Sequence, residues 1–331
     1  MAGVVFFVEG EMKFARLLMA AALFSAVAPD APAQGYPSKP IRLIVPFAPA
    51  GGTDIMARVI AAQVSESLGQ TIVVDNRPGA GGIIGTETVV RANPDGYTLI
   101  MVNSNFSGSG AIQKLPYDPV KDIEPIVLIG ETGLLLAVNP SLPVKSVKDL
   151  VAHAKANPGK LNYGSVGAGS LTHLSLELFK LETKVDITHV PYKGGALALT
   201  ATVSGEVQLT AVSMVPTIPL VKTGRLRAIA VTTAKRSSLL PEVPTIGETV
   251  PGYESIHWYG VWGPKKLPKA IVARWNREVA KVLQSNEMKI RLAAEGLEPA
   301  GGPPEQFMTV IRRDVEKWQR VVKEANITAG N

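Results

Sequence analysis

The 331-residue sequence contains no cysteine. A lipoprotein needs a cysteine to acylate after its leader is removed, and a small disulfide-stabilised secreted domain needs cysteine pairs, so the sequence excludes both classes. Thiolate ligands for a metal are excluded as well. Histidine is scarce, with four residues, and these do not follow the H-E-x-x-H spacing of a zinc protease. We therefore predict no metal site and no cofactor.

The sequence also lacks the motifs of common nucleotide-binding and hydrolytic enzymes. It has no Walker lysine pattern and no G-x-S-x-G nucleophile elbow. Two glycine-rich segments begin like a dinucleotide-binding turn, but Ile84 and Thr172 stand where the third glycine of each should be. We predict that the protein is not an enzyme. A hydrolase with its site in a cleft is the alternative, and turnover of an ester or amide would distinguish it.

The basic residues are not gathered into one patch. The 34 Lys and Arg exceed the 28 Asp and Glu, which gives a net charge of +6. Their scatter lacks the basic and aromatic platform of a nucleic-acid-binding surface. We predict no nucleic-acid partner, and the surplus of positive charge favours small anions.

The first 33 residues have the pattern of a secretory signal peptide. Basic residues precede the apolar run Leu17 to Ala28, and a small-residue cleavage site follows at Ala31-Pro32-Ala33. The alternative, a membrane anchor, needs roughly 20 apolar residues, which is more than this run provides. Met12 is an alternative start that places the basic residues at the beginning. We predict a periplasmic protein, without a lipid anchor, that begins near Gln34.

Beyond this leader, short apolar runs alternate with longer amphipathic patterns. This order is typical of α/β folds with largely parallel sheets. A second series of runs begins at Leu134, which predicts a second α/β lobe. Three helical patterns close the sequence, and since helices at the end of a chain usually cover a sheet built earlier, we assign them to the first lobe. The predicted lobes are residues 36–133 with 255–325, and residues 134–254.

A glycine-rich loop separates the first predicted strand from the first predicted helix. Gly51 and Gly52 let the backbone approach a ligand closely, and the helix start offers N–H groups and the positive end of the helix dipole. These features suit an anion. The alternative is an ordinary turn in which Thr53 or Asp54 caps the helix, and the local pattern leaves both interpretations open.

A second loop of this kind follows a predicted strand in the other lobe, from Gly164 to His173. Two such loops, one in each lobe, are able to face each other across a cleft and to hold an anion with backbone amides and hydroxyls. A cationic side chain is then not needed. The alternatives are a plain helix cap for the loop and a hydrogen-bonded structural role for His173.

Several segments in fixed order resemble the Bug family, the substrate-binding receptors of tripartite tricarboxylate transporters. The resemblance extends from about Tyr36 to Ile327, and several motifs in order are far more specific than one short match. The segments are PFAPAGGTDIMAR, VVDNRPGAGG, NPDGYTL, LPYDPVKD, NPGKLNYGSVGAGSLTHL, HVPYKGGALALT, KTGRLRAIAVTTAKRSSLLPEVPTIGE and PGYE.

The resemblance implies a type II periplasmic-binding-protein fold, in which two α/β lobes are joined by two crossing strands and enclose a ligand cleft. It implies a small mono-, di- or tricarboxylate as ligand, held by the loops Phe47 to Asp54 and Ser165 to Thr172. It also implies membrane permease subunits as partners, and we expect the receptor to be a monomer. The candidate binding residues are Phe47, Ala48, Gly51, Gly52, Thr53, Asp54, Asn103, Ser104, Ser165, Gly169, Ser170, Thr172, His173 and Ser213.

One departure from the family pattern bears on the ligand. Members often carry Asp or Asn near the end of the strand that corresponds to Val207 to Val212, where this sequence has Ser213 instead. An acidic partner for an ammonium group is missing there, which disfavours an amino-acid ligand. For Lys193, a surface charge at the entry of a helix is as good an explanation as a contact with the ligand. The alternative function is a periplasmic sensing module that presents a carboxylate to a signalling partner.

Overall fold

The computed structural model describes residues 35–49, 51–294 and 296–328. The predicted signal peptide and the alternative start at Met12 lie outside the described residues. From Lys39 onward the described chain forms one compact unit. None of the helices in these ranges is both long and apolar enough to cross a bilayer.

Strands and helices alternate along most of this unit. The strands are β1 (Ile41–Val45), β2 (Ile72–Asn76), β3 (Thr98–Asn103), β4 (Ile123–Thr132), β5 (Leu134–Val138), β6 (Leu161–Ser165), β7 (Ile187–Pro191), β8 (Leu209–Ser213), β9 (Arg227–Val231), β10 (His257–Pro264) and β11 (Glu298–Gly301). The α-helices are α1 (Gly52–Leu68), α2 (Ile83–Val90), α3 (Asn105–Ile112), α4 (Val147–Ala156), α5 (Leu171–Thr183), α6 (Gly195–Ser204), α7 (Met214–Lys222), α8 (Lys269–Gln284), α9 (Asn286–Ala294) and α10 (Pro304–Glu324).

The strands form two separate sheets. One has the order β11-β4-β10-β3-β1-β2, and the other has the order β7-β6-β8-β5-β9. In the first sheet β1 runs parallel to β2 and β3, and in the second sheet β6 runs parallel to β7 and β8. Strands β10 and β5 run antiparallel to their neighbours in these two sheets. The predicted α/β class with two lobes is therefore confirmed. The lobe boundaries at residues 133 and 254 stay predictions.

The first helix shows how the sequence pattern becomes packing. Met56, Ile60, Val64 and Leu68 recur every four residues, and all four are buried. This apolar stripe packs on the neighbouring strands, as an amphipathic helix does on a sheet. The helix ends at Gly69, whose φ of 66° is in the left-handed region that glycine adopts without strain.

Strand β10 returns from the second sheet and enters the first sheet between β3 and β4. Its side chains alternate between the two faces. The face that carries Trp258 and Trp262 packs against α10, and a Cβ at Gly260 would overlap the ring of Phe307. Glycine at this position therefore permits the close approach of the helix. The opposite face carries His257 and Tyr259.

The last helix contacts both lobes. Phe307 and Ile311 belong to the apolar cluster of the first sheet, whereas Trp318, Val321 and Val322 belong to the cluster built on the second sheet. The sequence prediction assigned this helix entirely to the first lobe. Its final turns pack on α5 as well, because their apolar face continues past the edge of the first sheet.

The chain crosses between the sheets at two closely joined segments. Gly133 alone separates β4 from β5, and the return crossing passes through Ser255 just before β10. Thr232 joins the two. Its hydroxyl donates to the carbonyl of Ser255 at 2.7 Å and accepts the N–H of Leu134 at 2.8 Å, and the residue is fully buried.

Substitution Thr232→Val removes both of these hydrogen bonds while keeping the side-chain shape. Each buried backbone group left without a partner costs about 1–3 kcal/mol, so we expect the free energy of unfolding to fall by about 2 kcal/mol or more. Urea denaturation measures it. Thr232→Ser keeps the hydroxyl and is the matched control. Equal stability of the valine and serine variants would contradict this role.

Candidate functional site

A cavity of about 560 Å³ lies between the two sheets. The second lobe supplies most of its wall, largely as apolar side chains of α6, α7 and β8. Among the described residues that line it, Arg225 alone carries a full charge. The other polar residues of the wall are Asn105, Thr132, Thr172, Thr200, Ser213, His257 and Tyr259.

Three helices of the second lobe begin at this cavity. They are α5, α6 and α7, which follow β6, β7 and β8, and these three strands share one direction. The first N–H groups of a helix have no intrahelical acceptor and lie at the positive end of its dipole. Leu171 and Thr172 of α5 and Gly195 and Ala196 of α6 supply such groups at the wall.

Two helix starts of the first lobe lie beside the same cavity, and Asn103 ties them together. Its amide nitrogen donates to Thr53 Oγ1 at 2.9 Å, at the start of α1. Its amide oxygen accepts the N–H of Asn105 at 3.0 Å, at the start of α3. Asn103 is buried. It therefore holds the starts of α1 and α3 together rather than forming the wall itself.

Tyr259 and His257 form the wall on the side of the first lobe. A Cβ at Gly52 would lie only 2.7 Å from the hydroxyl of Tyr259, so the absence of a side chain at Gly52 lets this hydroxyl stand against the start of α1. His257 Nδ1 lies 2.7 Å from Ser104 Oγ. Burial lowers the pKa of His257 to about 4, so the ring presents a neutral polar group to the cavity.

The loop between β6 and α5 is held by its own hydroxyls. Ser170 Oγ caps α5 by accepting the N–H of His173 and donates to the carbonyl of Gly167 at 2.6 Å. Thr172 Oγ1 accepts the N–H of Val166 at 2.9 Å. Thr172 lines the cavity, whereas Ser170 holds the loop in shape behind it.

Two stacked histidines lie behind this loop. The rings of His173 and His189 have centroids 3.9 Å apart and are nearly parallel. His173 Nδ1 accepts the N–H of Gly169 at 2.9 Å, which requires that nitrogen to carry no proton. His189 Nε2 lies 2.6 Å from Ser165 Oγ. The two histidines therefore support the loop on the side that faces away from the cavity.

The carboxylate of Asp54 is engaged within its own lobe. It pairs with Arg58 at 3.0 Å and accepts the amide of Asn76, which also donates to the carbonyl of Phe47. Asp54 is 2% exposed. These contacts fix the start of α1 and the preceding loop. The helix begins at Gly52 with Gly51 as its N-cap, so the alternative in which Thr53 or Asp54 is the cap is wrong.

The remaining predicted residues occupy different surroundings. The ring of Phe47 packs beside Gly82, and Ala48 and Gly51 are exposed outside the cavity wall. Gly169 has a φ of 74°, and a Cβ there would overlap Ile112 Cδ1. Of the residues predicted from sequence, Thr172 and Ser213 line the cavity directly.

Several wall residues were not among the sequence candidates. His257, Tyr259 and Arg225 come from segments without a glycine-rich loop, so no local signal marked them. Gly195 follows Gly194 directly after β7. That glycine pair after a strand is the same signal as in the two predicted loops and was sufficient to locate the start of α6.

Two α/β lobes that enclose a cavity at the starts of their helices define a solute-binding receptor. Residues 56–327 match the family model described as the tripartite tricarboxylate transporter family receptor. The chain belongs to this family, whose members are receptors and not enzymes.

Relatives and solved structures match nearly the whole chain. Protein BugT of Bordetella pertussis strain Tohama I is 36% identical over 95% of this chain and 98% of its own length. R. palustris Rpa4515, solved with adipate, is 40% identical with a TM-score of 0.74 and covers 88% of this chain and 99% of that one. MatC from Rhodopseudomonas palustris, with bound malate, is 32% identical with a TM-score of 0.70 and covers 87% of this chain and all of that one.

The neutral histidines predict how stability depends on pH. Burial is the main cause that lowers the pKa of His173, His189 and His257 to about 4, whereas an unfolded chain titrates its histidines near 6.5. Between these values the unfolded state binds more protons, so the free energy of unfolding falls as the pH is lowered through this window.

Urea denaturation between about pH 4 and pH 6.5 measures this decrease in the free energy of unfolding. His189→Gln keeps a hydrogen-bonding side chain beside Ser165 but cannot take up the proton, so its stability should decline less steeply than that of the wild type. The same comparison above pH 7 is the control, because both states are then neutral. A wild-type stability that stays constant or rises on acidification would contradict the account.

Proposed function

We propose that the protein is a periplasmic receptor that captures a small carboxylate in the cavity between its lobes and delivers it to the permease subunits of a tripartite tricarboxylate transporter. The observation that carries the proposal is the convergence of five helix starts, from both lobes, on one largely apolar cavity. Adipate and malate in two related structures support a carboxylate as ligand. The signal-peptide pattern of the first 33 residues supports a location in the periplasm.

The helix starts suit a carboxylate for an electrostatic reason. Backbone N–H groups at a helix N-terminus point outward together and carry partial positive charge, so they bind an anion without a charged side chain. Ser213 adds a hydroxyl at the wall, and Tyr259 adds a second from the other lobe. Gly52, Ser104, Ser165, Ser170 and His173 support these groups from behind.

Closure around the ligand follows from the two crossings. Two lobes joined at Gly133 and Ser255 are able to rotate about these crossings, and the contacts that α10 makes with both lobes must adjust as they do. A ligand held by N–H groups of α5 and α6 on one side and by Tyr259 on the other makes contacts in the closed form that the open form lacks. Its binding energy therefore favours closure.

Calorimetry with adipate and with malate tests the binding site. Ser213→Ala removes a hydroxyl at the cavity wall, and one hydrogen bond to a charged group is worth about 1.5–3 kcal/mol, or tenfold or more in affinity. Ser213→Thr keeps the hydroxyl and is the matched control. Lys193→Ala should change the affinity less than about fivefold, because an exposed charge contributes at most about 1 kcal/mol.

The opposite pattern in these variants would overturn the site. Loss of binding in Lys193→Ala with unchanged binding in Ser213→Ala would mean that a lysine outside the cavity holds the anion. Failure of both acids, and of a wider set of carboxylates, to bind or to raise the melting temperature would overturn the proposed function itself.

Gly52→Ala tests the first lobe separately. The added methyl group would meet the hydroxyl of Tyr259, so this ring must turn away from the start of α1. We expect weaker carboxylate binding with nearly unchanged stability, since Gly52 is exposed and its φ is ordinary. In Tyr259→Phe the hydroxyl is already missing, so Gly52→Ala on that background should reduce the carboxylate affinity much less. An equal loss of affinity on both backgrounds would contradict the contact between Gly52 and Tyr259.

A further inference from the structure

The cavity does not end at the helix starts. Its wall continues along α6 from Gly195 to Val203 and along α7 from Ser213 to Leu220. Eight residues of α-helix span about 12 Å. The cavity therefore extends well into the second lobe as a groove between these two helices.

This groove is apolar along its length. Leu199, Val203, Val212 and Leu220 line it, and all four belong to one apolar cluster with the buried residue Leu226. The groove is thus the uncovered side of a packed core cluster. A malate-sized ligand at the helix starts would leave this surface in contact with water.

A single cation lies at the far end. Arg225 follows α7, lines the cavity and is exposed. Within residues 35–49, 51–294 and 296–328 its guanidinium has no ion-pair partner. Arg227, two residues further on, is different, because its guanidinium donates to the carbonyls of Leu142 and Val144.

We propose that the groove between α6 and α7 is a second subsite, which takes the apolar body of an elongated dicarboxylate and places its distal carboxylate beside Arg225. This inference rests on the proposed function, since the proximal carboxylate binds at the helix starts. One anionic end of such a ligand matches the N–H groups at the helix starts, and the other matches the guanidinium of Arg225. Apolar surface lies between these two positions. Aliphatic dicarboxylates have this distribution of charge.

Isothermal titration calorimetry of the receptor with succinate, adipate, suberate and octanoate tests the subsite. Each methylene buried on apolar surface strengthens binding about fourfold, so affinity should rise from succinate through adipate to suberate. Suberate should bind about three- to fivefold more tightly than octanoate, since an exposed ion pair is worth up to about 1 kcal/mol.

Variants separate the two ends of the groove. Arg225→Gln should bring suberate down to the affinity of octanoate and leave succinate unchanged. Lys222→Gln is the matched control, because Lys222 is an exposed cation on the last turn of α7 that does not line the cavity. Thr200→Phe places a ring in the groove at an exposed position and should weaken suberate but not succinate.

Two results would overturn the subsite while leaving the receptor function intact. One is an affinity that does not rise with chain length, and the other is an equal loss for succinate and suberate in Arg225→Gln. If none of the four acids binds, the proposed function fails together with the subsite.

Discussion

Backbone N–H groups at the start of a helix need acceptors from outside the helix. In this protein that requirement is concentrated in one place, because α5, α6 and α7 begin at one edge of the second sheet and α1 and α3 begin beside the cavity from the other lobe. Water is able to satisfy such N–H groups, and a carboxylate satisfies them better because it brings charge as well as acceptors. The site therefore needs no cluster of cationic side chains.

The surrounding residues keep those N–H groups in position. Asn103 joins the starts of α1 and α3, Ser170 and the neutral ring of His173 hold the loop before α5, and Thr232 joins the two segments that cross between the sheets. Most of these side chains are buried, so their hydrogen bonds do not compete with water. In the proposed subsite, selectivity depends on the apolar groove and Arg225, since helix starts do not distinguish one carboxylate from another.

Local sequence order predicted the α/β class, the two lobes and two loops beside the cavity, because a strand, a glycine-rich turn and a helix follow one another directly in the chain. It did not locate Tyr259 and His257, whose position depends on β10 pairing with β3 and β4 far away in sequence. For the same reason it assigned α10 to one lobe, although Trp318 packs in the other. The glycines mark helix starts beside the cavity, whereas long-range pairing decides which side chains face the cavity.

We infer that backbone amides at the helix starts bind the carboxylate. Two-dimensional ¹H–¹⁵N spectra recorded during a titration with adipate test this directly, because each amide reports its own hydrogen bond. The account predicts saturable shifts, with one common dissociation constant, for Thr172, Gly195 and Ala196. Saturation of binding by calorimetry without shifts at these three amides would contradict it.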